Sequence, residues 1–482
     1  MLFNSLSFLA FFPLVYISYW TVLKNNLKWQ NIMLLVASYY FYGCWDWRFL
    51  FLLAFSTFLD FFTGIKISRS ENEKIRKIWL VISVGINLGF LGVFKYYNFF
   101  VAGFADLISG FGFQINPRLI QVLLPVGISF YTFHGLSYVF DIYKRRIDPS
   151  ENFVNYSLFV SFFPLLVAGP IERATHLLPQ ISVPRKFSLE SSKDGLRQVL
   201  WGLFKKVVIA DNCATVVNSI FESGDYSSGS TLLIGAVLFA FQIYCDFSGY
   251  SDIALGTARL LGFELLRNFA FPYFSRDIAE FWRRWHISLS SWFRDYLYFP
   301  LGGSRGRKWM SVRNTLIIFS VSGFWHGANW TFIVWGIYHG LLFLPLLLMN
   351  KNRLNTNIVA GSRSIFSLKE LFQMLFTFVL VIFGWIFFRA ESMGQAVSYI
   401  TGLFNKSIFS MPLLLNKKEF AISFCFISVL LIFEWVNRNN GHGLYFSNSK
   451  IPAPIRKTIY ISLIWIIIWF NGNQSEFIYF QF

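Results

Sequence analysis

The chain has 482 residues, of which 55% are hydrophobic, 21% aromatic and only 14% charged. Soluble globular chains carry about 25% charged residues, so there are too few charges here to coat a water-facing surface, and a soluble fold is excluded. The net charge of +17, from 42 Lys and Arg against 25 Asp and Glu, does not call for nucleic acid, because the basic residues fall in loops between apolar runs and suit anionic lipid headgroups.

A mean hydropathy of +0.50 agrees with an integral membrane protein, as do 17 Trp and 22 Tyr, the residues that collect at the headgroup boundary. In chain order, uncharged apolar runs occupy roughly 4–23, 29–45, 49–65 (broken by Asp60), 78–94, 119–140, 152–171, 207–221 (broken by Asp211) and 226–245. They continue at 314–350, 371–388, 420–433 and 458–475. The first run has no basic stretch before it and no small-residue cleavage site after it, so it reads as a membrane helix rather than a signal peptide. Residues 314–350 are too many for one span: a straight helix of that length measures about 55 Å against a hydrocarbon core of about 30 Å. Two helices or a broken hairpin are expected there, for a total of roughly 11–13 crossings.

No repeat, low-complexity tract or long polar domain interrupts the pattern, and a single membrane domain over 1–482 is expected. The regions 172–206 and 257–313 are not spans, yet they are rich in Trp, Phe and Leu, which predicts interfacial or re-entrant helices. The four cysteines (Cys44, Cys213, Cys245, Cys425) are far apart and read as core residues.

Six histidines are present, and His326 stands out by depth. It lies 13 residues past Arg313, about 20 Å along a helix, where an ionisable side chain is costly and marks a functional site by default. Its surroundings, Gly323-Phe-Trp-His-Gly-Ala-Asn-Trp330, can break a helix and wall an imidazole with aromatic and hydrogen-bonding groups, which makes Trp325 and Asn329 candidate pocket contacts. A buried neutral imidazole can take the proton of an attacking hydroxyl; the bland alternative is a His satisfied by a neighbouring carbonyl. His339 is 13 positions further on, about 220° around a helix, and reads as a packing residue. No GxSxG elbow is present, and no histidine pair has the close spacing of a zinc site, so no metal is expected.

His286 lies in Phe281-Trp-Arg-Arg-Trp-His-Ile-Ser-Leu-Ser-Ser-Trp-Phe-Arg-Asp-Tyr296. Arg283 and Arg284 suit the phosphates of coenzyme A; lipid headgroups explain the arginines equally well, though not the His. Gly302-Gly-Ser-Arg-Gly306 follows, a weak phosphate-loop signal. Asp246 ends an apolar run and reads as a network residue, held as a further candidate pocket contact.

These motifs resemble the membrane-bound O-acyltransferases. Phe281–Ser290 and Trp292–Arg305 carry the resemblance, as do Phe324–Trp330 and Gly336–Gly340, and the similarity is greatest to the bacterial alginate O-acetylation branch. Pro125–Phe133, Ala168–Arg173 and the terminal Phe477–Phe482 also match that branch, so the resemblance covers essentially the whole chain. It implies a ring of membrane helices around a thinned centre, a cytoplasmic acyl-CoA pocket and a central funnel opening outside. His326 then corresponds to the catalytic residue and His286 to a second functional histidine. It also implies an exported partner that completes transfer onto a polysaccharide.

The expectation is therefore an all-α integral membrane protein of the bacterial cytoplasmic (inner) membrane. It moves acetyl from acetyl-CoA, a substrate rather than a bound cofactor, towards an alginate-like or peptidoglycan acceptor, with His326 as base and His286 in support. The rival is a transporter or flippase of lipid-linked sugars with an intramembrane His as proton relay; such proteins commonly show inverted repeats, and none is visible. An inert scaffold would leave both histidines unexplained.

The Lys and Arg bias predicts that 66–77 and 351–369 are cytoplasmic and that the acidic 222–230 turn is outside. A thiol introduced at Ser228 should react with an impermeant reagent added to intact cells. Labelling only after the cytoplasmic face is opened would reverse the orientation.

Overall fold

The computed structural model describes every residue except 114–118, 121–122, 168, 362, 447–450, 472–474 and 479–482. Residue 168 of the Ala168–Arg173 motif and 479–482 of the terminal motif therefore lie outside the described residues. Among the described residues the regular elements are helices, with no strands. Seven are long and apolar enough to cross a membrane: Phe49–Arg69, Glu73–Ser109, Gly229–Leu260, Trp330–Leu348, Leu368–Arg389, Lys417–Val436 and Ala453–Phe470. Leu6–Val22 is a shorter apolar helix. Some other apolar runs fold in shorter pieces. Run 152–171, for example, becomes a nine-residue helix and a four-residue one that includes Pro164.

The chain divides into two compact units, Met1–Ser192 with Ala258–Leu266, and Lys193–Thr257 with Arg267–Phe482. The first holds α1 (Leu6–Ile17), α2 (Leu27–Gly43), α3 (Phe49–Arg69), α4 (Glu73–Leu91) and α5 (Tyr97–Ser109). It continues with α6 (Ile128–Tyr143), α7 (Phe153–Ser161), α8 (Phe163–Leu166) and α9 (Ala174–Ser182). Among its buried polar groups Asp60 is paired, as an apolar surround favours: it accepts from Ser83 at 2.7 Å and from Asn87 at 2.8 Å. Asp60, which breaks the 49–65 run, is thus held in a buried polar network.

The second unit takes most of α10 (Leu189–Leu203), then α11 (Asp211–Phe221) and most of α12 (Gly229–Leu260). Two short helices follow, α13 (Ile278–Arg284) and α14 (Ile287–Phe293), then α15 (Lys308–His326), α16 (Trp330–Leu348), α17 (Leu368–Arg389), α18 (Met393–Leu403), α19 (Lys417–Val436) and α20 (Ala453–Phe470). Residues 257–313 are thus built of short helices and turns with buried faces, as the aromatic content of that region predicts.

The long 314–350 run is a broken hairpin. α15 ends at His326, Gly327 is extended, and Asn329 caps α16 by accepting from the Thr331 N–H at 3.1 Å. Glycines set the closeness of the two helices. A Cβ on Gly323 would overlap the Phe332 carbonyl oxygen, and one on Gly336 the Phe319 carbonyl oxygen, so the backbones touch as small residues allow in apolar surroundings.

This packing yields a paired prediction. Gly336→Ala overpacks the hairpin and should cost about 1–3 kcal/mol, read as a lower melting temperature in detergent. Gly85→Ala, where a Cβ meets nothing within 4 Å, should leave it unchanged or raise it, since alanine is the better helix former. Equal melting temperatures for the two variants would mean the hairpin is looser than described.

Candidate active site

The second unit brings three histidines into one aromatic cluster. His286 stands at the N-cap position of α14 in a left-handed conformation, φ 42° and ψ 54°, sparsely populated for a non-glycine residue and concentrated at functional sites. Its ring stands edge-on to Phe247, centroids 4.7 Å apart, and 6.0 Å from Trp325. Burial pushes its imidazole well below the usual histidine range, to about 3, so it is neutral at ordinary pH.

His326 stands 6.4 Å from His286, ring centroid to ring centroid. Trp325 lies 4.9 Å from it, Trp335 5.0 Å and Phe388 5.4 Å. The ring therefore sits at the helix break, walled by aromatic faces from α15, α16 and α17. His339 is one helical turn beyond Trp335, 5.3 Å from the same indole, and packs against Trp282 at 5.1 Å and Gly384. The two histidines thus share one tryptophan as a neighbour. Sequence spacing placed them on different faces, and Trp335 is what joins those faces.

A cavity of about 370 Å³ runs along α14 and α15. Ile287, next to His286, and Ser322, one turn before His326, form part of its wall, together with Phe319 and Phe343. Arg283, Arg294 and Arg353 line it as well. Two imidazoles and a cavity with three guanidinium groups form an arrangement able to move an acyl group from a phosphate-bearing carrier to a hydroxyl.

The family model for membrane-bound O-acyltransferases matches residues 143–390, a stretch that contains all three histidines. The probable alginate O-acetylase of Azotobacter vinelandii is 38% identical over 407 residues, 84% of this chain and 78% of that protein. The chain belongs to the membrane-bound O-acyltransferase family. The peptidoglycan O-acetyltransferase of Helicobacter pylori is 32% identical over 100% of this chain and 98% of its own. The teichoic acid D-alanyltransferase of Streptococcus thermophilus is 30% identical over 45% of this chain and 55% of its own. This membrane-bound O-acyltransferase is a multi-pass membrane protein and an enzyme of acyl transfer.

The other candidate residues of the acyltransferase fall into separate roles. Trp325 is buried beside both His286 and His326. Asn329 is the cap of α16 and donates to the Glu391 carbonyl at 2.9 Å, which holds the break in place. Asp246 is engaged by Lys206 at 2.7 Å and accepts from the Ile478 N–H at 2.7 Å; Lys206 also pairs with Asp211 at 2.9 Å. The two neighbouring arginines diverge. Arg283 is exposed, lines the cavity and donates to the Asn352 and Asn355 carbonyls. Arg284 is turned onto buried Glu280 at 2.8 Å and onto the Ala270 carbonyl at 3.1 Å. Trp335, Phe388 and Phe247 were not singled out by sequence, because an aromatic in an apolar run carries no signal of which ring it meets.

The divergence is testable. Arg284→Gln weakens the pairing of Glu280, and each lost charge-assisted bond costs about 1.5–3 kcal/mol, so its melting temperature should fall clearly below that of Arg283→Gln. Matching melting curves would show that Arg284 is not a structural partner.

Proposed function

We propose that this acyltransferase, working in the bacterial inner membrane, takes acetyl from cytoplasmic acetyl-CoA and passes it to hydroxyls of a surface polysaccharide through an exported partner. The acceptor class, alginate-like or peptidoglycan, is supported by two relatives named for alginate and for peptidoglycan. The whole of 1–482 is proposed to act as one catalytic domain, supported by a family match that runs from 143 to 390 across both compact units.

The observation that carries the reading is the pair of imidazoles 6.4 Å apart at a helix break, with a cavity whose wall includes Ile287, next to His286, and Ser322, one turn before His326. In the proposed step His326 takes the proton of the attacking hydroxyl, whose oxygen adds to the thioester carbonyl carbon. The carbon–sulfur bond then breaks, and the leaving thiolate receives the proton from the imidazolium. Neutral His286 donates to the carbonyl oxygen as charge develops on it, the kind of preorganised stabilisation that lowers such barriers most. Arg283, Arg294 and Arg353 meet the phosphates of the carrier.

His326→Ala, reconstituted in lipid vesicles with labelled acetyl-CoA, should lose ~10²–10⁴ in turnover, the usual contribution of a general base. His339→Ala should lower thermal stability, since it empties a site between Trp282 and Trp335, and turnover per folded molecule should fall less than in His326→Ala. Arg283→Gln should raise the KM for acetyl-CoA. Near wild-type turnover by well-folded His326→Ala would overturn the assignment, and sugar uptake without acetyl-CoA consumption would favour transport.

A further inference from the structure

We infer that Asn268 is a positioning residue for His286, acting from a separate segment as the cap that α14 does not receive from His286 itself. The proposal rests on the reading of His286 as a supporting histidine.

The first N–H groups of a helix need acceptors, and an N-cap side chain ordinarily supplies one. At α14 the N-cap is His286, and the imidazole makes no capping bond to the first turn. Asn268 supplies one such acceptor instead, and its side chain ties down the first turn. Its backbone carbonyl accepts the Ile287 N–H at 2.9 Å, and its side-chain oxygen accepts the Ser288 hydroxyl at 2.6 Å. Two residues on, Ala270 exchanges bonds with Arg284: its N–H donates to the Arg284 carbonyl at 3.0 Å, and its carbonyl accepts from the Arg284 guanidinium at 3.1 Å. Trp285 and His286 therefore lie between two pins set by the strip Asn268–Ala270.

The central residue of that strip closes the arrangement. Phe269 packs edge-on against Trp285 at 5.0 Å and against Phe247 at 4.9 Å, and Phe247 is the ring that faces His286. The left-handed turn at His286 is thus held from both backbone ends and from the side, as an unfavourable conformation requires if it is to persist. The Asn268 amide has a defined sense as well. Its nitrogen, buried and without a partner among the described residues, belongs to a residue that lines a small polar chamber with Asp252, Glu434 and Lys205. Carboxylates on that side favour the NH₂ there and the oxygen towards Ser288.

The test uses the full-length protein in lipid nanodiscs with three variants: Asn268→Ala, Ser288→Ala and the double. Each single should lower kcat for acetyl-CoA consumption about 10- to 100-fold, the scale of a small misplacement of a catalytic group, with KM unchanged. The double should be no slower than the slower single, because both remove one bond. A second measurement does not depend on the donor. The buried His286 should react with diethyl pyrocarbonate several-fold faster in Asn268→Ala, read by mass spectrometry, while buried His134 in the other compact unit stays at its wild-type rate. If Asn268→Ala fails to accumulate, Ser288→Ala carries both readouts. Wild-type kcat and His286 reactivity in the singles, effects that multiply in the double, or a KM change alone would overturn the proposal. A shift in His286 reactivity with no acetyl-CoA consumption by the wild type would leave the positioning role standing and remove the donor reading.

Discussion

A helix that stops inside an apolar layer leaves carbonyl and N–H groups to be satisfied, each costing several kcal/mol if stranded. Much of the second unit follows from sheltering one such stop. α15 ends at His326 and α16 begins at Trp330, so three residues must turn the chain. Asn329 satisfies the start of α16 with its own side chain and ties the turn to the link between α17 and α18 through the Glu391 carbonyl. Gly327 takes the extended step where a Cβ would overlap the Phe332 ring. The contact at Gly323 and Gly336 holds the two helices close enough for Trp335 to reach His326. A break built this way is costly unless something uses it, and what it presents is an imidazole.

His286 reaches the same spot by a different route. α13 is anchored by Glu280, whose buried carboxylate takes Arg276 at 3.0 Å and Arg284 at 2.8 Å, while Asp277 accepts from Asn355 at 2.7 Å. Buried ion pairs add little net stability against well-packed apolar residues, and losing one partner is what hurts. Their effect here is geometric: they fix the exit of α13, so that the left-handed turn at His286 aims its ring at the break. One histidine is placed by where a helix ends and the other by where a helix begins.

Some of this was legible in the sequence. The 37-residue run had to break, and a Trp-His between glycines marked the place; α15 and α16 meet there. His286, in a cationic aromatic segment, was also visible, because charge and histidine are rare in this composition. The roles of neighbours were not. Arg283 and Arg284 are identical in type and adjacent, yet one lines a cavity and the other holds Glu280, a distinction made by the turn of a seven-residue helix. His339 seemed remote from His326 because helical spacing carries no information about Trp335, which bridges them. Asn268 lies 18 residues from His286, and nothing local announces that one segment will cap another. Run 152–171 looked like a span because hydropathy does not register the proline that divides it.

The most direct test of transfer at the break is sidedness. Purified protein is reconstituted in vesicles with acetyl-CoA, labelled separately in its acetyl and its CoA parts, confined to the face that carries 66–77, and an acceptor glycan with its exported partner is confined to the other. Acyl transfer at His326 predicts acetyl label on the glycan, with CoA retained on the donor side as the free thiol. CoA crossing together with acetyl, or both labels remaining on the donor side while acetyl-CoA is hydrolysed, would contradict it.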